Sequence, residues 1–373
     1  MSEKVLMSGN EAIAEAAIRA GCGAYFGYPI TPQNELIGYM AQHMLERGRV
    51  FIQAESEVAA INMVYGASCA GARAMTSSSS PGISLKQEGI SYGDGADVPM
   101  VIANIVRGGP GLGNIAPAQS DYIQATRGGG HGDYRCIALA PKNVQECADL
   151  TGLAFDLADK YRMPAIILAD GMLGQMMEGV VFQPERSLQE LPSRNWTAGK
   201  MTDRTATNGR RKARHITSIN LNPVELETIT KARFVRYETV KANETRYEDI
   251  GCADADLVLV AYGTSARVCL GARMLAEKEG IKLGIFRPIT VWPFPYTALA
   301  GLAAKKKSFL TVEMSLGQLV EDVKLSVYEA VTTGRLTAPD KVHFLGHSGG
   351  IISTEEEVFI EAKRVLSLSK QGK

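Results

Sequence analysis

Over roughly its first 180 residues the chain alternates segments of helical period with short apolar runs, and glycine or proline marks most of the junctions. "GNEAIAEAAIRAG" reads as a helix stopped at Gly21, and "AYFGYPI" as a strand. "PQNELIGYMAQHML" puts Leu36, Ile37, Met40 and Met44 on one helical face. "VFIQA" is expected as a short buried strand, followed by the small-residue helix "ESEVAAINMVYGASCAGA". "ARAMTSS", "VPMVIANIV" and "MPAIILAD" read as further strands, the last preceded by the helix "NVQECADLTGLAFDLADKY". This order predicts a mostly parallel sheet with helices on both faces, because parallel strands need a crossover long enough for a helix.

From residue 183 to about 252 the character changes. The stretch is polar, and Arg210, Arg211, Lys212 and Arg214 crowd together, which reads as a solvated loop rather than a phosphate patch. "VELETITKARFVRYETVKANETRY" then reads as an amphipathic helix linking two domains. A second α/β series follows in "ADLVLVAYGTS", "IKLGIFRPITVWPFP", "KSFLTVEMS" and "VHFLGHSGG". The expected division is 1–185, a linker and connecting helix at 186–252, and 253–373.

Forty basic and forty acidic residues balance, which argues against a nucleic-acid binder. No run reaches the roughly 20 apolar residues of a membrane span, and the N-terminus lacks a basic leader with an apolar block. The six cysteines are scattered without C-x-x-C spacing, so they read as free, mostly buried thiols of a reducing cytoplasm.

Several motifs invite a chemical reading. Thr31 in "YPITP" stands where a helix N-cap belongs, with Pro32 at the first helical position. It also ends a strand of a parallel sheet, where ligands bind. Glu57 opens a helix directly after a strand, and the macrodipole alone favours a glutamate there. "GDG" at Gly93–Gly95 imitates the start of a thiamine diphosphate–magnesium motif, but it precedes a strand and lacks the downstream asparagine, so it is a decoy. "GPGLGN" is a loop, "TSSSSPG" holds no nucleophile elbow, and His343 and His347 have no acidic or cysteine partners in metal spacing.

Taken together, "GYPITPQNE", "QAESEVAAINMVYGASCAGARAMTSSSSPGISLKQEGISY", "NIVRGGPGLGN", "QSDY", "GGGHGDYR" and "ILADGMLG" resemble the α subunit of 2-oxoacid:ferredoxin oxidoreductases. The version is most similar to the branched-chain (3-methyl-2-oxobutanoate) type, with the 2-oxoglutarate type close behind. The resemblance continues through "VLVAYGTSARV", "FRPITVWPFP" and "TVEMSLGQL". It implies an α/β fold: a doubly wound, pyrimidine-side thiamine diphosphate domain followed by a transketolase C-terminal-like domain.

The same resemblance implies a composite enzyme. A β subunit would hold the cofactor's diphosphate, Mg2+ and a 4Fe–4S cluster, and γ and ferredoxin-like δ subunits can complete the assembly. Ferredoxin and coenzyme A are the implied partners, with no nucleic acid and no membrane. Glu57 matches the glutamate bonded to the aminopyrimidine N1′, favouring the imino tautomer that takes the proton from C2. Pro29, Ile30 and Thr31 match the turn beside the cofactor. Thr31 and Arg107 match residues beside the substrate carboxyl, a task suited to the planar guanidinium. His131 and Lys86 are weaker substrate candidates. Lys86 either meets a second carboxylate, which would favour 2-oxoglutarate, or is a solvated helix lysine, the preferred reading.

The implied reaction is oxidative decarboxylation of a 2-oxoacid to acyl-CoA, with electrons passing to ferredoxin, and this chain alone is expected to be inactive. Pyruvate and 2-oxoglutarate are the alternative substrates. The rivals are a non-catalytic scaffold subunit and a non-redox thiamine enzyme.

Overall fold

We describe the protein from a computed structural model, which covers residues 4–191, 194–198, 214–305, 308–335 and 342–371. Of the basic cluster expected to be a solvated loop, Arg210, Arg211 and Lys212 lie outside these residues, and Arg214 is exposed.

The first half runs β1 (Val5–Ser8), α1 (Gly9–Arg19), β2 (Ala24–Gly27), α2 (Asn34–Glu46), β3 (Val50–Gln53), α3 (Glu57–Ala70), β4 (Ala74–Ser78) and α4 (Ser80–Gly95). It continues with β5 (Val101–Val106), α5 (Tyr122–Arg127), β6 (Ile137–Leu139), α6 (Val144–Tyr161), β7 (Ala165–Asp170), α7 (Gly171–Gln175) and β8 (Met177–Val180). After the long α8 (Pro223–Glu244) come β9 (Tyr247–Ile250), β10 (Leu257–Val260), α9 (Gly263–Lys278), β11 (Leu283–Pro288) and β12 (Thr290–Trp292). The chain closes with α10 (Tyr296–Ala303), β13 (Phe309–Glu313), α11 (Leu319–Thr332), β14 (Val342–Gly346) and α12 (Glu355–Gln371).

The larger sheet has the order β12-β6-β7-β5-β4-β2-β3 and is parallel except for β12. The smaller has the order β14-β13-β10-β11-β9, with β9 antiparallel. This is the α/β architecture expected. Two strands nevertheless cross the boundaries read from the sequence. β12, from the C-terminal series, joins the larger sheet beside β6, and β9, from the connecting stretch, joins the smaller one beside β11. "FRPITVWPFP" thus feeds both sheets, turning from β11 to β12 across Ile289.

Helix α2 follows the predicted face: Leu36, Ile37, Met40 and Met44 are its buried residues. Each such side chain is worth about 1.5–3 kcal/mol of burial, so a charge at Met40 would unseat the helix. Its start differs from expectation. Gln33, not Thr31, is the N-cap, and the helix begins at Asn34. The chain first closes a turn in which the Gln33 amide donates to the Ile30 carbonyl at 3.1 Å, and the Thr31–Pro32 peptide is cis. Strand β3 also departs from expectation: it is the edge of the sheet, and three of its four residues are exposed. Among the described residues no strand pairs its outer side, so its apolar composition does not translate into burial.

Helix α8 is anchored by its polar residues. Tyr237 Oη donates to Asp94 at 2.7 Å, and Arg233 reaches Asp97 and the Gly95 carbonyl. The decoy "GDG" therefore serves as a dock for this helix. Burial raises the Asp94 carboxyl to about 6. The expected amphipathic stripe is incomplete, because Val224, Leu226 and Val235 are exposed while Arg233 and Glu244 are buried.

Between the two sheets Gln119 makes the join. Its amide donates to the Met314 carbonyl, its Nε2 to the Tyr262 carbonyl, and its Oε1 accepts from Ser265 and Met314, all within 2.8–2.9 Å. Asp322, fully buried, accepts from Tyr122, Tyr296 and Arg127.

Candidate active site

The ends of β2, β4 and β5 and the start of α3 gather polar side chains at the C-terminal edge of the larger sheet, where open parallel sheets bind ligands. The turn after β2 is held from several sides. Asn10, fully buried, donates to the Pro32 carbonyl at 2.8 Å, and Gln175 donates to the same carbonyl at 3.2 Å. Gln33 Nε2 donates to the Tyr28 carbonyl, and Gln33 Oε1 accepts from Ser77 Oγ at 2.6 Å. Pro29 is exposed, whereas Ile30 and Thr31 are half-buried.

Arg107, at the end of β5, is 9% exposed. Its Nη1 donates to the Thr31 carbonyl at 2.9 Å and its Nη2 to the Leu112 carbonyl at 3.0 Å, while the buried Nε makes no hydrogen bond. The structure thus brings Thr31 and Arg107 together, but much of the guanidinium fork is spent on main-chain carbonyls. Ser80, the first residue of α4, accepts from the Arg107 amide at 3.0 Å.

Glu57 is 7% exposed at the first position of α3. Ser56 caps the helix through the Ala59 amide, so the glutamate is not needed as a cap. Its carboxylate makes no hydrogen bond or ion pair with the described residues. It faces the start of α4, where a Cβ at residue 82 would lie 2.8 Å from Glu57 Oε1 and 2.0 Å from Ser78 Oγ. Only glycine permits that approach. Ser78 Oγ and Ser79 Oγ beside it are buried and unpaired. An unpaired carboxylate acceptor with two unpaired hydroxyls fits the aminopyrimidine end of thiamine diphosphate, which presents N–H donors and ring nitrogens. Among the described residues no group of three His, Cys, Asp or Glu could hold a metal ion.

Two expected residues fall elsewhere. Lys86 is not solvated: it is 0% exposed, with Nζ donating to Thr76 Oγ1 and the Ser77 carbonyl, each at 2.9 Å. The helix turns it inward onto β4. His131 is exposed, and its carbonyl accepts from Ser91 Oγ at 2.6 Å. Ser91 lies roughly 16 Å along α4 from Ser80 at about 1.5 Å per residue, so His131 is remote from Arg107.

Sequence reading missed Gln33, Ser77 and Ser78. "TSSSSPG" carried the signal, since a run of serines ending a strand at the sheet's C-terminal edge must find partners or a ligand. A cleft of about 920 Å³ lined by Arg127, Arg135, Lys241 and Trp292 lies away from Glu57. Its cations are engaged by Asp322, by main-chain carbonyls and by Glu238, respectively.

Comparison with known proteins supplies the context. Residues 15–247 match the family described as pyruvate flavodoxin/ferredoxin oxidoreductase, thiamine diP-binding, and residues 255–358 match the pyruvate:ferredoxin oxidoreductase core domain II. The ketoisovalerate oxidoreductase subunit VorB of Methanothermobacter marburgensis is 50% identical over 323 residues, covering 86% of this chain and 89% of that one. The 2-oxoglutarate synthase subunit KorA of the same organism is 33% identical over 377 residues, covering 96% and 98%.

Among solved structures, 2-oxoglutarate:ferredoxin oxidoreductase from Magnetococcus marinus, with 2-oxoglutarate, coenzyme A and succinyl-CoA bound, superposes with a TM-score of 0.80 at 27% identity. The match covers 98% of this chain and 66% of that one. A split-gene transketolase shares the fold at a TM-score of 0.59 and 14% identity. A thiamine diphosphate-binding domain over more than half of the chain, a core domain II after it, and relatives at this identity have one consequence: the chain belongs to the 2-oxoacid:ferredoxin oxidoreductase family, as an α-type subunit.

Proposed function

We propose that this chain is the α subunit of a coenzyme A-acylating 2-oxoacid:ferredoxin oxidoreductase acting on a branched-chain 2-oxoacid, 3-methyl-2-oxobutanoate. The observation that carries the enzymatic reading is the buried, unpaired Glu57 carboxylate at the sheet's C-terminal edge, set against Ser78 and a glycine that lets a helix end approach it. A scaffold subunit would have no need of an acceptor without a hydrogen-bond partner in that position.

In this reading Glu57 shares a proton with N1′ of the cofactor's aminopyrimidine, accepting the hydrogen bond of the N1′–H form, and holds the ring in register. Thiamine diphosphate, when bound, supplies a carbon nucleophile at C2 and takes up the electron pair left by departing carbon dioxide. The turn at Ile30 and Thr31 walls the reacting face. Arg107 fixes that turn through the Thr31 carbonyl and offers its remaining N–H groups to the substrate carboxylate. The diphosphate, Mg2+ and the 4Fe–4S cluster are assigned to a β subunit, so activity requires the assembly. Residues 1–185, completed by β12, form the pyrimidine-side unit and 253–373, completed by β9, the transketolase C-terminal-like unit, joined at 186–252.

Two observations favour the branched substrate. The relative at 50% identity is named for ketoisovalerate. Lys86, the residue on which recognition of a second carboxylate would rest, is wholly buried and bonded to β4.

The test is dye reduction by the natively purified assembly with coenzyme A and pyruvate, 2-oxoglutarate, 3-methyl-2-oxobutanoate or indolepyruvate. Fastest turnover with the branched acid is expected. Preference for 2-oxoglutarate would overturn the substrate, and turnover independent of acceptor and coenzyme A would overturn the redox reaction.

A further inference from the structure

Lys86 has no place in the reaction as described, yet a lysine with no exposure is costly unless something compensates its charge. It stands on α4 between Gly82 and Gly89, at spacings of four and three residues, so all three share a face. Those glycines seat α4 on α3. A Cβ at 82 would meet Glu57, and a Cβ at 89 would lie 2.6 Å from Ile61, one turn along α3 from Glu57. A helical side chain leans toward the helix N-terminus, which carries the Lys86 ammonium toward the end of β4. There it donates to Thr76 Oγ1 and to the Ser77 carbonyl. Two of its three protons are thereby placed.

The groups facing this ammonium can be named. From β4 come Thr76 and Ser77, both neutral. Behind Ser77 stand Tyr25, whose Oη is 2.5 Å from Ser77 Oγ, and the amide of Gln33. On α4 itself, Glu88 is turned outward onto Tyr92, and Asp94 is held by Tyr237. The acid that faces it comes from α3: Glu57 Oε1 lies 2.8 Å from where a Cβ at residue 82, one turn before Lys86, would stand. Burial lowers the Lys86 ammonium to about 7, and Glu57 opposes that shift.

We propose that Lys86 is the counter-charge of Glu57, a positioning residue fixed on the end of β4 that keeps the Glu57 carboxylate aimed at the aminopyrimidine end of thiamine diphosphate. This rests on the reading of Glu57 given above. Lys86 does not touch the cofactor; it acts through Glu57. Its carbonyl partner Ser77 also bonds Gln33, which grips the Tyr28 carbonyl, so the same lysine is linked through hydrogen bonds to the turn that carries Thr31.

The experiment is a double-mutant cycle on the cofactor-free assembly, reading thiamine diphosphate–Mg2+ affinity by calorimetry for wild type, K86M, E57Q and K86M/E57Q. K86M is expected to weaken binding about tenfold in the wild-type background and less than about twofold in the E57Q background. Equal losses in both backgrounds would make Lys86 a packing residue and overturn the proposal.

Melting of the same cofactor-free proteins against pH separates the pair from its use. A lysine lowered to about 7 when folded, against 10.5 unfolded, makes stability rise as pH climbs between those values. E57Q removes the opposing charge, so the rise should begin at lower pH, and K86M should abolish it. An E57Q that keeps the shifted melting profile but binds cofactor normally would remove the cofactor role of Glu57 while leaving its electrostatic coupling to Lys86 standing. Should K86M fail to assemble, coincident profiles for wild type and E57Q overturn the pairing on their own.

Discussion

Arg107 Nη1 donates to the Thr31 carbonyl at 2.9 Å, so one guanidinium ties the turn after β2 to the loop after β5. A second bond, to the Leu112 carbonyl, extends the tie into that loop. Arginine does this through a rigid fork, which lysine does not possess. Arg107→Lys should therefore lower kcat/KM for the 2-oxoacid by about 10- to 100-fold, mostly through KM, with a modest fall in melting temperature. Steady-state kinetics of the assembled variant check this. A change of less than about twofold would confine Arg107 to fold maintenance.

Glu57→Gln keeps the shape of the side chain and removes its charge. Assembly should be intact and the chemical barrier should rise by about 2 kcal/mol or more, roughly 30-fold in kcat. Gel filtration with turnover measurements decides it, and near-normal turnover would cancel the assigned role.

Gly82→Ala places a methyl group 2.0 Å from Ser78 Oγ and 2.8 Å from Glu57 Oε1. Overpacking at such a contact costs about 1–3 kcal/mol, and it should displace the carboxylate as well. Weaker thiamine diphosphate binding is expected, measurable by cofactor titration of the cofactor-free assembly. Ser78→Gly in the same chain should recover part of the stability by removing the nearer clash.

Asp94 gives a signed pH dependence. Its carboxyl, about 6 when folded against an ordinary value of 3.8, binds a proton more readily in the folded state between those limits. Stability from this group is therefore lost as pH rises from about 4 to 6, by about 3 kcal/mol at most. Asp94→Asn should flatten that part of the melting profile. An unchanged slope would assign it to other carboxylates.

Much of the fold is legible in the sequence because burial there follows period. Leu36, Ile37, Met40 and Met44 recur on one face of α2, and they are the residues it buries. Reading failed where a neighbour distant in sequence decides the outcome. The edge position of β3 leaves Val50 and Ile52 exposed, and no local pattern states which strand will be last in a sheet. Thr31 and Pro32 have the composition of a helix start, yet the turn closed by Gln33 delays the helix to Asn34.

Lys86 looked solvated because helices usually turn lysines outward. The contrary signal was weak but present: glycines at 82 and 89 bracket it on the face that meets α3. Neither the pairing of Arg107 with the Thr31 carbonyl nor that of Ser77 with Gln33 is a local property, since both join residues more than forty positions apart in the chain.

The placement of β12 bears on how such a chain can be divided. This strand closes the β6 side of the larger sheet, and the Ala140 amide donates to the Ile289 carbonyl just ahead of it. In return, β9 closes the β11 side of the smaller one. A gene fission near residue 252 would hand each product the other's border strand. The N-terminal fragment would bare a row of unpaired amides and carbonyls along β6, an invitation to self-association. The two halves are mutually clasped, and recombination that exchanges one of them must carry its partner's matching edge along with it.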